Sequence, residues 1–271
     1  MSDSASTAQL VVDVADGVAV VTLTNPHRHN ALSNQTFGHD LPELVRALAD
    51  RSDVRALVVT GAGHAFCAGS ELDAEGFSRL DEAEVVDLVQ RVNDLPMALR
   101  DLGKPSIAAV QGVAIGGGVG VAAACDLRVA SPRARFRVPY VQLGLTPDVG
   151  LSHTLPAIIG VARALELVLT GRWLDADEAL ATGLVTILDE DPLRRAVSLA
   201  AAMAECSPGA VAAARGMIVR APDRTMDETL LEHEPQQHAR LLHADDRHTY
   251  FTRYLASIGL KLDAGGRIRR D

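Results

Sequence analysis

Aromatic side chains are scarce in this 271-residue chain, at 3% of positions, with one tryptophan, three tyrosines and five phenylalanines. The core must therefore be largely aliphatic. Basic residues are in deficit: Lys plus Arg is 26 against 35 Asp plus Glu, a net charge of -9. That excludes the Lys/Arg excess expected of a nucleic-acid binder. Cysteine occurs at Cys67, Cys125 and Cys206 only, with no CxxC spacing. An odd set of scattered thiols suits a reducing cytosol, not a disulfide framework. No apolar run approaches the ~18 residues that would propose a membrane span. Met1 to Gln9 lacks the basic stretch and apolar core of a secretory signal. A hydrophobic fraction of 48% excludes a disordered chain. A soluble, acidic, cytoplasmic protein is expected, and its length sets a prior of one or two domains at ~150 residues each.

Val-rich runs at 9–14 and 18–24 flank Ala15-Asp16-Gly17 and predict a β-hairpin. Leu41, Leu44, Val45 and Leu48 share a helical face. Val54–Thr60 reads as a strand covered on both sides. Asp81–Leu102 reads as one long helix, kinked or split by Pro96. Lys104-Pro105 opens a strand over 106–113, followed by three glycines and a helix over 119–124. Short strands are expected at 126–130 and 135–138. A helix capped by Asp175 should stop at Gly183, and helices dominate from 192 to 206, 208 to 219 and 225 to 257. Strand–helix alternation ahead of residue 190 argues α/β with parallel strands.

Glycines between a strand and a helix, as in Ile115-Gly-Gly-Gly-Val-Gly120, admit close backbone approach to a ligand. The helix start also offers unpaired N–H groups with partial positive charge, suited to a phosphate or an oxyanion. The same glycines are equally explained by tight helix–sheet packing. Gly118-x-Gly120-x-x-Ala123 matches a dinucleotide fingerprint but lacks the acidic residue ~20 positions on. His64–Leu72 is a second small-residue loop after a strand; Ser70 is not in a GxSxG elbow. His233, His238, His243 and His248 recur every fifth residue. Neighbours then lie ~140° apart on a helix, so no metal site is expected.

The segments Asn25-Pro26, Asn30-Ala31-Leu32, Phe66-Cys67-Ala68-Gly69-Ser70-Glu71-Leu72, Lys104-Pro105, Ala108–Gly112, Gly116–Gly118, Cys125-Asp126 and Leu143-Gly144-Leu145 stand in one order. Together with Thr170-Gly171-Arg172 and Gly183-Leu184-Val185 they resemble the crotonase (enoyl-CoA hydratase/isomerase) superfamily over about residues 10 to 220. The resemblance implies an α/β fold, a crotonase ββα spiral core over 1–195, with a helical region over 196–271 that builds a homotrimer or a hexamer of paired trimers. It implies an acyl-CoA thioester substrate, no separate cofactor, no nucleic acid and no membrane. The backbone amides of Ser70 and Gly117 would hold the thioester oxygen, where preorganised donors contribute about 3 kcal/mol each. Arg28 would lie near the CoA phosphates and Ala68 near the adenine, with Gly69, Leu72, Gly116 and Tyr140 lining the substrate site.

The chain departs from that pattern at two places. Hydratases of the family carry two glutamates; here those positions are Gly120 and Tyr140. Hydration needs one group to activate water and one to deliver a proton, so plain hydratase activity is not expected. Tyr140 is read as a hydrogen-bond donor or a pocket wall. One acid stands where Asp-dependent isomerases of the fold place theirs: Asp148, in Leu145-Thr-Pro-Asp-Val-Gly150. A single base suits an allylic proton shift, given a pocket apolar enough to raise its pKa. Otherwise Asp148 is an acid complementing a helix start. The expected activity is enoyl-CoA double-bond isomerisation. The alternatives are a thioester hydrolase, a dehalogenase, a biosynthetic crotonase, or a silent acyl-CoA-binding subunit.

Overall fold

The computed structural model describes residues 9–71, 79–263 and 265–270. Contacts divide the chain into two compact units, Met1–Ala201 and Ala202–Asp271. The boundary expected at 195/196 falls inside the helix Pro192–Ala204.

The first unit opens with the hairpin β1 (Leu10–Ala15) and β2 (Val18–Leu23). Asp16 and Gly17 both have positive φ, 51° and 76°, and Ala15 pairs with Val18. That is the two-residue turn whose twist matches the strands it joins. β3 (Ala56–Gly61), β4 (Ser106–Val110), β6 (Leu127–Ala130) and β9 (Ile187–Leu188) add in parallel to β2, giving a six-stranded sheet in the order β1-β2-β3-β4-β6-β9. β4 is buried along its whole length, as is β3 up to Gly61, which is why their sequences read as aliphatic runs and not as alternation. A second, three-stranded sheet runs β5-β7-β8, from Val113–Ile115, Arg135–Arg137 and Trp173–Asp175.

Two turns of the chain repeat one path. β4 leaves the first sheet, the chain breaks at Gln111-Gly112, and β5 enters the second; α4 (Gly117–Ala124) then leads back to β6, and β7 again crosses over. The apolar stretch 106–113 is thus two strands in two layers, not one. Helix α4 contains only Gly, Val and Ala and is buried from Gly117 to Ala123, so it packs closely on every side.

Helices α1 (Leu41–Asp50), α2 (Glu82–Val92) and α3 (Asp94–Asp101) belong to the same unit. The expected long helix breaks at Asn93, three residues ahead of Pro96. Pro96 then lies in the first turn of α3, where a missing N–H costs nothing. Asp81 and Glu84 cap α2 reciprocally, each side chain accepting the other's amide at 2.9 Å. After α5 (Leu151–Ile159) and α6 (Val161–Thr170), Asp175 caps α7 (Ala176–Thr182) by accepting the Glu178 amide at 2.9 Å; Gly183 ends it at φ 85°.

The helix α8 (Pro192–Ala204) crosses the boundary between the units. The second unit contains α9 (Pro208–Val219), α10 (Glu234–Leu242), α11 (Arg247–Ser257) and a small hairpin, β10 (Leu260–Leu262) with β11 (Ile268–Arg270). The helical run expected over 225–257 is broken at His243–Asp246. Among the described residues no single helix is long and apolar enough to cross a membrane.

One buried polar side chain ties the hairpin to the loop after β3. Asn30 is fully buried with φ 57°; its Nδ2 donates to the carbonyls of Ala62 (2.9 Å) and Ala65 (2.8 Å), and its Oδ1 accepts the Asn25 amide at 2.9 Å. Asn30→Ala leaves these backbone groups under-satisfied, at about 1–3 kcal/mol per buried group. We expect a loss of about 3 kcal/mol in urea unfolding; a change under about 1 kcal/mol would show that the loop holds its shape without Asn30.

Candidate active site

Two backbone segments meet without side chains between them. Phe66 and Cys67 donate to the Val113 carbonyl at 3.0 and 3.2 Å, and Ile115 donates back to Cys67 at 2.9 Å, so the loop after β3 lies along β5. On its other side Leu32 donates to Gly69 and accepts from Glu71, at 2.9 and 2.8 Å. That pairing uses the groups flanking Ser70 and turns the Ser70 N–H the opposite way. Gly69 has φ +88°, and a Cβ there would sit 2.8 Å from the Ile115 carbonyl and 3.1 Å from the Gly117 amide. Only glycine satisfies both the backbone conformation and the space. Gly117 is the first residue of α4, where amides lack an intrahelical acceptor. Among the described residues neither the Ser70 nor the Gly117 amide has a hydrogen-bond acceptor. Two free donors thus lie together at a helix N-terminus, an arrangement suited to an oxyanion. Cys67 beneath them is inert: burial pushes its thiol up to about 12, and its Sγ accepts the Gly69 amide at 3.3 Å.

The carboxyl comes from the segment between β7 and α5. Tyr140 is buried in a short turn, Tyr140–Leu143, and its hydroxyl lies 3.7 Å from where a Cβ on Gly116 would be. That hydroxyl donates to Oδ1 of Asp148. Burial pushes the Asp148 carboxyl above the ordinary aspartate range, and the Tyr140 donor partly offsets it. Burial, then the neighbouring Asp148 charge, pushes the Tyr140 phenol well above its usual value, so it stays a donor. The adjacent Val149 is fully buried with φ 49°, a strained conformation for a β-branched residue. It wedges against α4: a Cβ on Gly120 would lie 2.6 Å from the Val149 Cβ, and one on Gly117 would lie 2.7 Å from the Phe37 ring.

Of the expected site residues, Ala68, Gly69, Ser70, Gly116, Gly117, Tyr140 and Asp148 fall in this region of the first unit. The Ala68 amide donates to His29 at 2.9 Å, which sets the Pro26–Arg28 turn beside the loop. Arg28 is exposed on that turn, and Leu72 lies outside the described residues. Asp148 does not cap α5; Gly150 precedes that helix, with no side-chain cap and no acid in its first turn. Glu71 accepts from Gln9 (3.1 Å) and Asn25 (2.9 Å) and is structural. His153 is exposed. Phe37, Val149 and the bracing role of Asn30 carry no signal in composition or periodicity. Asn30 alone could have been suspected, as a polar residue between a turn and an aliphatic pair.

Residues 13–257 match the description of the enoyl-CoA hydratase/isomerase family. The chain is 36% identical over 225 residues to a probable enoyl-CoA hydratase of Mycobacterium tuberculosis, covering 83% of this chain and 86% of that protein. It is 38% identical over 184 residues to 4-chlorobenzoyl coenzyme A dehalogenase-1 of Arthrobacter sp, covering 67% and 66%. Among solved structures, DspI of Pseudomonas aeruginosa superposes with a TM-score of 0.86 at 31% identity, over 94% of this chain and 98% of that one. An enoyl-CoA hydratase of Bacillus anthracis gives 0.85 at 29% identity, over 92% and 96%.

The Gly120–Val149 contact is testable by itself. Gly120→Ala should destabilise the protein by about 2 kcal/mol through overpacking. Val149→Gly in the same chain, which removes the Cβ that is met, should restore part of that loss, since the two positions share one space. Additive losses in denaturant unfolding would contradict the contact.

Proposed function

The chain belongs to the enoyl-CoA hydratase/isomerase family, and on that premise we propose that it moves the double bond of an enoyl-CoA thioester, with Asp148 as its single proton carrier. The observation that carries this reading is one half-buried carboxyl, held by Tyr140, beside two free amides, with Val149 filling the space over Gly120 where a second acid would need room. Ionised Asp148 removes a Cα proton from a 3-enoyl-CoA. The electron pair delocalises into a dienolate whose oxygen is held by the Ser70 and Gly117 amides. Protonated Asp148 returns the proton at Cγ, the double bond settles between Cα and Cβ, and the carboxylate is regenerated. Nothing is consumed, so one acid suffices. Hydration would need a second acid–base group to direct water, and neither Gly120 nor Tyr140 supplies a carboxylate. A trimer would cover Ile218, Met226 and Leu231, which the C-terminal unit exposes at 75%, 75% and 74%.

Asp148→Asn should lower conversion of 3-enoyl-CoA to 2-enoyl-CoA by at least about 100-fold. Unchanged turnover, or halide release from 4-chlorobenzoyl-CoA by the parent, would overturn the assignment. The same variant has a second signature. Because the folded-state pKa of Asp148 is raised, its stabilising contribution is present at acid pH and is lost as pH rises through that pKa. Asp148→Asn should therefore melt higher than the parent at neutral pH, and the difference should shrink on acidification. Parallel melting curves at every pH would show that no buried charge is being relieved.

A further inference from the structure

A half-buried carboxyl such as Asp148 needs a partner to hold it in this geometry. We infer that Tyr140 is the positioning residue of Asp148: its hydroxyl holds Oδ1 beside Gly116 and leaves Oδ2 to exchange the proton with the acyl chain. This assignment rests on Asp148 being the proton carrier.

Three observations carry it. Tyr140 is 7% exposed, so its hydroxyl must find a buried partner, and that partner is Asp148 Oδ1. Asp148 Oδ2 has no side-chain partner among the described residues. Tyr140 is itself anchored on both sides: the Leu145 amide donates to its carbonyl at 2.9 Å, and its ring end lies 3.7 to 3.9 Å from the Cβ position of Gly116. The Gly116 amide in turn donates to Arg137 of β7 at 2.9 Å, three residues before Tyr140. The amide pair and the carboxyl are therefore registered to each other through one short stretch of β7 and its turn.

The arrangement also sorts the two oxygens by basicity. An oxygen that accepts a phenol hydrogen bond is the poorer base, so the proton is taken by the other. The tyrosine favours the carboxylate while burial opposes it, which keeps Asp148 ionisable inside an apolar setting. Other groups bear little on the pair. Cys67 is a neutral thiol, and helix α6, packed on the Tyr140 turn, carries Arg163 and Glu166 on its exposed side, Glu166 being paired with Arg172 at 2.6 Å.

The test uses the full chain with Tyr140→Phe, alone and combined with Asp148→Asn. With 3-enoyl-CoA, kcat should fall about tenfold or more while KM changes less than about threefold, since the lost bond orients the base and does not bind CoA. The acidic limb of the kcat profile should move to higher pH, because the carboxylate has lost a donor. Thermal unfolding of the four proteins gives a readout that needs no turnover. The coupling between positions 140 and 148 should be large at neutral pH and fade on acidification. An unmoved pH limb together with zero coupling at neutral pH would overturn the assignment. Strong coupling in a protein that turns over no enoyl-CoA would uphold the pairing of the two side chains and overturn the reading of Asp148 as a proton carrier, and with it this assignment.

Discussion

The active region depends on backbone meeting backbone. The loop Phe66–Ser70 lies on β5 and on the start of α4 at distances that leave no room for side chains, and the Ser70 and Gly117 amides become neighbours as a result. Burying peptide groups this closely is tolerable only where their hydrogen bonds are otherwise met. Here they are met by Val113, Cys67, Leu32 and the side chain of Asn30, and the Ser70 and Gly117 amides, left without an acceptor, are the ones the proposed reaction would use. A pair of free donors is thus a by-product of how the spiral closes. The protein's net charge of -9 is no obstacle, because the relevant field comes from two N–H groups and a helix end.

The second constraint is the contact between α4 and Val149. The small residues of α4 let Val149 enter, and Val149 accepts a strained backbone to do so. Strain of this kind persists only when its surroundings over-determine it. One consequence is that the space above Gly120 is filled by hydrocarbon. The other is that Asp148, next in the chain, is presented to Tyr140 instead of to the start of α5. The hydrocarbon over Gly120 and the position of Asp148 thus lie on either side of one packing contact.

Much of the architecture is legible in the sequence, for local reasons. Asp16-Gly17 and the Asp175–Gly183 helix obey rules that act over a few residues, and the structure keeps them. Aliphatic runs announce the parallel strands but not their ends: 106–113 divides between two sheets because Gly112 must pass the His64 carbonyl. The break at Asn93 instead of Pro96 has the same origin, since a proline is neutral in a first turn and where that turn begins is decided by tertiary packing. The candidate site was legible as motifs but not as geometry. Tyr140 and Asp148 are eight residues apart with a glycine and a proline between them, and no periodicity links them. The positive φ of Val149, next to Asp148, has no sequence signature in a valine either.

In the proposed reaction one carboxyl carries the proton from Cα to Cγ. This transfer is tested most directly with 3-enoyl-CoA deuterated at Cα and turned over in ordinary water, with the position of the label read by mass spectrometry and NMR. A single carrier predicts 2-enoyl-CoA in which part of the deuterium has moved to Cγ. A 3-hydroxyacyl-CoA as first product, or the same isomerisation at undiminished rate in Asp148→Asn, would contradict it.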